Sequence, residues 1–344
     1  MRYNRGTVIK IEGIRFGFIL LAEVKGMRLL TRSDFDGLMC AVLLKELDLF
    51  DEKKFVHPKD IQDGIIDVTS NDILVNVPYA PNCGLWFDHH TSEDARGAMY
   101  QSKYVGASWP APSCARVIYE YYGGTKGRLA RYKDMVTEAD KCDSAHFTRE
   151  EVLDPQGMVL LSFIMDPRTG FGRYRDFTIS NYQLMDCLID YLRTMSVEEI
   201  MQLEDLQERV RLYNEHREPF VKMMKDYSWT EGAAIITDLR GVEETYVGNR
   251  HVIYALYPDQ NVSIRVFDGR EKQFCVFSVG YSILNRTATV DVGKLMLKYG
   301  GGGHRRVGTC QVPYDEADKI LKEISEEINA RNWQMLNIAG LDEA

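Results

Sequence analysis

Short apolar runs that end in acids or imidazoles, each leading into a turn or a helix-like stretch, constrain this chain more than any other feature. The clearest is Leu85-Trp86-Phe87-Asp88-His89-His90, where a run of the kind that fills a strand delivers a carboxylate and two imidazoles in consecutive positions. Met27-Arg28-Leu29-Leu30-Thr31 likewise leads to Asp34-Phe35-Asp36-Gly37 and then to LMCAVLLKELDLF, whose apolar residues recur at helical spacing. DGIIDV and DILVNV are further short β-branched runs, and PSCARVIYEYYGG reads as a helix from Pro112 stopped at Gly123. Strands alternating with helices predict an α/β fold built on a mainly parallel, doubly wound sheet covered on both faces. Ligands of such sheets sit beyond the carboxyl ends of the strands, where these acids and histidines fall.

At 344 residues the chain exceeds one ordinary core and suits two domains. Residues 1–26 alternate apolar and polar and read as an N-terminal extension. The doubly wound domain is expected over 27–190 and a helical linker over 191–228. In that linker Ser196-x-x-Glu199 forms a capping box and Pro219 should kink or end the helix. A smaller α/β domain follows over 229–344. GAAIITDL, YVGNRHVIYALYP, NVSIRVFDG and QFCVFSVGYS look like strands, and the final helix carries Ile320, Ile324 and Ile328 on one face.

Composition excludes several classes. No run approaches the roughly 18 apolar residues of a membrane span, and the opening MRYNRGTVIKIEGIRFGF has neither the apolar core nor the cleavage site of a signal peptide. Seven cysteines without C-x-x-C spacing predict reduced thiols and a cytoplasmic protein. A formal charge of −9 argues against binding long nucleic acid, which needs a basic surface. It permits a small anion held by a few arginines and metal ions.

Alternation along an extended segment puts Asp34 and Asp36 on one side, so both carboxylates can reach one site. The competing assignment makes Asp34 a helix cap and leaves Asp36 solvated. With Asp88, His89 and His90, and with Asp140 after a helical stretch, these groups could enclose one or two divalent ions able to activate water against a phosphoryl group. In the second domain Gly300-Gly301-Gly302-Gly303-His304-Arg305-Arg306 offers backbone N–H groups and arginines to an anion or a base; a flexible hairpin is the plainer alternative. Arg265, in SIRVF, is either a second donor or an ordinary strand-face charge. Arg168 and Arg173, in a loop marked by Gly and Pro, suit phosphate or base contact, or pairing with nearby acids.

Taken in order, D-x-D-G, D-H-H, a later Asp and G-G-G-H resemble the DHH phosphoesterase superfamily, in the subgroup with a DHHA1 domain that includes nanoRNases, pAp phosphatases, cyclic-dinucleotide phosphodiesterases and RecJ. The resemblance covers residues 27 to 340. It implies a DHH catalytic domain, a DHHA1-like substrate domain, and Mn-dependent hydrolysis of phosphodiester or terminal phosphomonoester bonds, with Mg or Co as alternative ions. It carries metal ligation over to Asp34, Asp36, Asp88, His89 and Asp140, and substrate contact to His90, Gly301, Gly302, Gly303, His304, Arg305 and Arg306. Two departures stand out. Arg32 occupies a place where relatives often have His, and Asn76 that of an Asp that usually bridges two metals. The expected substrate is a short oligoribonucleotide or dinucleotide, with no long nucleic acid and no membrane, and a homodimer is compatible with the fold. The alternatives are hydrolysis of pAp, a cyclic dinucleotide or polyphosphate, or a nucleotide-binding regulator with weakened catalysis.

Overall fold

The computed structural model describes residues 26–90 and 104–339, with side chains to Arg331; the extension expected over 1–26 lies, apart from Gly26, outside the described residues. Two compact units divide the chain. Among the described residues the first comprises 26–90, 104–146, 156–167 and 171–209, and the second 147–155, 168–170 and 210–339.

In the first unit, β1 (Met27–Arg32) leads to α1 (Phe35–Glu46) and β2 (Phe50–Val56), then to β3 (Asp72–Val75), β4 (Leu85–Asp88) and β5 (Gly106–Ser108). All neighbouring strands are parallel, in the order β2-β1-β3-β4-β5. The direction of winding therefore reverses between β1 and β3, the switch point where an open parallel sheet leaves a crevice at its carboxyl edge. Leu30, Leu74 and Trp86 fill one face of the sheet with Val56 and Val77. Arg28 and Asp72, register partners on β1 and β3, form a bidentate ion pair of 2.6 and 3.0 Å across the switch. Ten successive residues of α1, from Phe35 to Leu44, are buried, so this helix is enclosed on every side. It packs against α2 (Cys114–Tyr121), α3 (Lys133–Asp143) and a later helix, α5, described next. The unit is completed by α4 (Gly157–Met165), α5 (Asn181–Thr194), α6 (Val197–Met201) and the start of α7 (Glu204–Asp226). The Ser196–Glu199 capping box forms as expected. Pro219 does not end α7, which runs through it.

The second unit contains a six-stranded sheet of β6 (Ser228–Glu231), β7 (Ala234–Asp238), β8 (Val262–Asp268), β9 (Cys275–Tyr281), β10 (Gly302–His304) and β11 (Val307–Val312), in the order β10-β11-β9-β8-β7-β6. Only β7 and β8 pair in parallel. One face is apolar. Ile236, Ile264, Phe277, Val279 and Cys310 pack there against α9 (Val292–Leu297) and α10 (Ala317–Ala339), the latter through Ile320, Ile324 and Ile328. Two expectations fail. Part of YVGNRHVIYALYP is the helix α8 (Val252–Leu256), and DGIIDV forms no strand. Its place in the sheet is taken by β2, FDEKKFV, whose middle is exposed and polar as an edge strand tolerates.

Candidate active site

The D-x-D-G segment turns the chain from the end of β1 into α1. Asp34 is the N-cap: its backbone is extended and its Oδ1 accepts from the Gly37 N–H at 2.9 Å. Gly37 is required by close approach, because a Cβ there would lie 2.1 Å from the carbonyl oxygen of Arg32. Asp34 has two further partners. Its Oδ1 also accepts from Asn76 Nδ2 at 3.1 Å, and its Oδ2 lies 2.9 Å from Arg32 Nε. Asp36, 1% exposed, points inward from the first turn. Its Oδ2 accepts from the Cys114 N–H at 2.8 Å and its Oδ1 from the Ala115 N–H at 3.0 Å, both at the start of α2. The cap and the buried acid thus do different work, and Asp36 is not the solvated residue of the plainer reading.

His89 follows β4, and its Nδ1 lies 3.0 Å from the carbonyl oxygen of Ala111. A carbonyl only accepts, so Nδ1 carries a proton, and a lone pair is presented at Nε2 when the ring is neutral. That atom is buried without a hydrogen-bond partner, 3.7 Å from Asp36 Oδ2 and 3.5 Å from Asp143 Oδ2. Gathered at such distances, two carboxylate oxygens and an imidazole nitrogen could hold a divalent ion, and the donor set fits one such as Mn. The electrostatics agree. Burial raises the Asp36 carboxyl above its ordinary value, opposed by His89 and reinforced by Asp34. Packing and the charges of Asp36 and Asp34 push Asp143 well above the aspartate range, although its side chain keeps 31% of its accessible surface.

Asp143 replaces Asp140 in this cluster. Asp140 accepts from Ser113 Oγ at 2.7 Å through Oδ1, and from Arg116 Nε and Nη2 at 2.9 and 2.7 Å through Oδ2. Both of its oxygens are engaged by α2 and its cap, so it anchors that helix and does not face His89. The sequence reading misses Asp143; both acids lie on α3, three residues apart, and that spacing is the signal that could have found it.

Asn76 follows β3 in a left-handed conformation (φ 56°), 2% exposed, and its Oδ1 is buried without a partner. Asp88, also buried, holds His90 through Oδ1 and Nδ1 at 2.8 Å. Arg32, Gln62, Asn76, Asp88 and His90 line a cavity of about 130 Å³. Asp88 therefore orients His90 and stands outside the Asp36–His89–Asp143 group.

In the second unit the glycine run is largely structural. A Cβ at Gly301 would meet the Thr309 carbonyl oxygen at 2.1 Å, and at Gly303, where φ is 151°, the Val307 oxygen at 2.3 Å; Gly302 has open space. His304 ends β10, and Arg305 and Arg306 form the turn into β11, with all three exposed. Arg265 faces away from the apolar core, with Thr237 and Ser278 as register neighbours on β7 and β9. Among the described residues its one hydrogen bond is from Nη2 to the Arg250 carbonyl oxygen at 3.3 Å. Burial lowers its pKa and Arg168, close by, lowers it further. Arg168 lies in the single turn Pro167–Thr169 and Arg173 in the next one, Phe171–Arg173.

No family model matches the sequence, and no curated protein matches it. Solved structures do. The chain is 47% identical to a pGpG-specific phosphodiesterase, PggH, from Vibrio cholerae, over 88% of this chain and 99% of that one, with a TM-score of 0.76. The fold alone extends to a DHH domain from a protein described as a member of a family of ribosomal proteins (14% identity, 90% and 88% coverage, TM-score 0.54). It extends also to RecJ from Thermus thermophilus in complex with Mn²⁺ (14% identity, TM-score 0.50), where the match covers 91% of this chain and 54% of that one. With a parallel sheet whose switch point gathers D-x-D-G and D-H-H, and this degree of identity along nearly all of a phosphodiesterase, the chain belongs to the DHH/DHHA1 superfamily of phosphoesterases.

Proposed function

We propose that this enzyme hydrolyses the phosphodiester bond of a short, 5′-phosphorylated dinucleotide of the pGpG kind, releasing two mononucleotides, with a divalent ion held by Asp36, His89 and Asp143. The observation that carries the reading is the partnerless Nε2 of His89, aimed at two carboxylates, in a chain so similar to a phosphodiesterase. Mn is the ion we favour. When bound it supplies Lewis acidity and an activated water. The protein's own groups do the rest. Asp36 is fixed by two amides of α2, so its geometry does not depend on solvent. Asp88 holds His90 Nδ1, which orients the Nε2 edge to give a proton to the departing sugar oxygen. In the second unit, Arg265 gives a desolvated guanidinium to a phosphate of the ligand, supported by Arg168.

The test is a panel with Mn, Mg or Co: pGpG, the same dinucleotide without its 5′-phosphate, longer 5′-phosphorylated strands, pAp, a cyclic dinucleotide and polyphosphate, read by product chromatography. Fastest conversion of pGpG to mononucleotides is expected. Preference for pAp, the cyclic ligand or polyphosphate would overturn the substrate assignment, and nucleotide binding without turnover under any ion would make the protein a regulator. Arg265→Gln should raise KM for pGpG by about 10- to 100-fold, the worth of one charged hydrogen bond, while the circular dichroism spectrum stays unchanged.

A further inference from the structure

The two departures from the family pattern, Arg32 and Asn76, meet at Asp34. Arg32 Nε is ion-paired with Asp34 Oδ2 at 2.9 Å, while the Gly37 N–H and Asn76 Nδ2 donate to Oδ1 at 2.9 and 3.1 Å. A carboxylate so engaged has little left for a metal. A second ion beside it would displace a guanidinium and find, on the β3 side, a neutral amide in place of a charged bridge. Because Asp34 accepts, Asn76 must present its NH₂ there, and its Oδ1 is turned elsewhere.

We propose that Arg32 stands in for a second cation, so that the site works with one divalent ion at Asp36, His89 and Asp143 and a fixed guanidinium beside it. The inference rests on the metal reading given above. Arg32 is placed for the task. Its Nε is used by Asp34, whereas its terminal nitrogens have no protein acceptor among the described residues. It lines the same cavity as Asn76, Asp88 and His90, and 41% of its side chain is exposed, so a phosphoryl oxygen can reach it. A planar fork suits two oxygens of one phosphate. In a paired-ion site two metals clamp the attacking and leaving oxygens from about 3.5–4 Å apart; here the ion holds one side and the guanidinium neutralises the other. The orphaned Asn76 Oδ1 then accepts from a donor of the ligand or from a water.

The test is Mn stoichiometry and spin state, measured on the full chain by titration calorimetry and electron paramagnetic resonance without substrate. The wild type should bind about one Mn per chain and give an uncoupled six-line spectrum. Two ions with an exchange-coupled spectrum would overturn this inference alone; no bound ion would overturn the metal reading itself. The double substitution Arg32→His, Asn76→Asp should raise the stoichiometry to about two and introduce the coupling. Aspartate, like asparagine, tolerates the left-handed backbone at position 76. If the folded double variant still binds one ion, these residues are not what excludes the second. Arg32→Gln provides a check that adds no ligand. It should keep the single six-line signal, lose about 100-fold in kcat and regain part of it on addition of guanidinium ion. Unchanged kcat in that variant would sink the role given to Arg32.

Discussion

Asp140 and Asp143 sit three residues apart on one helix, yet they do opposite work, and substitution separates them. Asp143→Asn removes a charge facing His89 Nε2 and should abolish tight Mn binding and cost more than about 100-fold in activity, beyond the loss typical of an outer-shell partner. Asp140→Asn should leave Mn binding intact, measured by calorimetry, and instead cost about 1–2 kcal/mol of stability through its lost pairing with Arg116. Weakened Mn binding in Asp140→Asn would reverse the two roles. Sequence reading names Asp140 and misses Asp143, because what decides between them is Arg116 on another helix. Asp34 and Asp36 pose a similar problem: strand-like alternation joins them, whereas the helix begins at Phe35 and sends one to a cap and the other inward. The raised pKa values of Asp36 and Asp143 have a consequence for stability. A carboxyl whose folded value lies above its unfolded value of 3.8 favours the folded state when protonated, and this contribution is lost as pH rises through the folded value. The metal-free protein should therefore lose melting temperature as pH climbs above the ordinary aspartate range. The gain on adding Mn should grow over the same interval, since the ion replaces the protons. Thermal melts from about pH 5 to about pH 8, with and without Mn, read both trends; a gain independent of pH would contradict the assignment of these two acids.

The glycine run is where motif and element diverge. G-G-G-H reads from sequence as a ligand cradle, but Gly301 and Gly303 are demanded by the hairpin itself, through close approach to β11. Gly293 on α9 joins them, since a Cβ there would lie 2.7 Å from the Gly303 carbonyl oxygen. Gly301→Ala and Gly303→Ala should each cost about 1–3 kcal/mol in denaturant unfolding. Gly302→Ala, with open space around it, should unfold like the wild type, so any rise in its KM reports ligand contact alone. An unfolding midpoint for Gly302→Ala as low as for its neighbours would refute this division. The same scale shows what patterning cannot supply. α1 and the inward faces of β7, β8 and β9 are legible because burial imposes their periodicity. β2 is an edge strand with Asp51, Glu52, Lys53 and Lys54 exposed, so no apolar run announces it. The 252–256 segment, VIYAL, has strand-like composition but helical backbone, and the hydroxyls of Tyr254 and Ser263 of β8 share a hydrogen bond of 2.8 Å. Tertiary context overrides a weak β-preference there.

At the scale of the molecule, an acidic chain with formal charge −9 must attract a polyanion using a few local cations. Long-range steering works against it, so binding must depend on short-range contacts, and the arginines proposed for these are Arg32 beside Asp34 and Arg265 on β8. The number of phosphates engaged is then small, and salt dependence counts them. For single strands the slope of log affinity against log salt is about −0.7 per phosphate neutralised, so two contacts give about −1.4, and raising salt from about 50 to about 200 mM should weaken binding about 7-fold. A protein reading 6–10 phosphates of a duplex would lose about 10³–10⁵ over that range. Measured as the KM for pGpG, and as the affinity for strands of increasing length, the slope should stay near its dinucleotide value as the strand grows. A slope that steepens with length would mean that the surface tracks a backbone, and the enzyme would then be a processive nuclease in place of one confined to short products. Arg265→Gln should flatten the slope by about one phosphate, about 0.7, whereas neutralising an exposed lysine such as Lys319 on α10 should leave it unchanged.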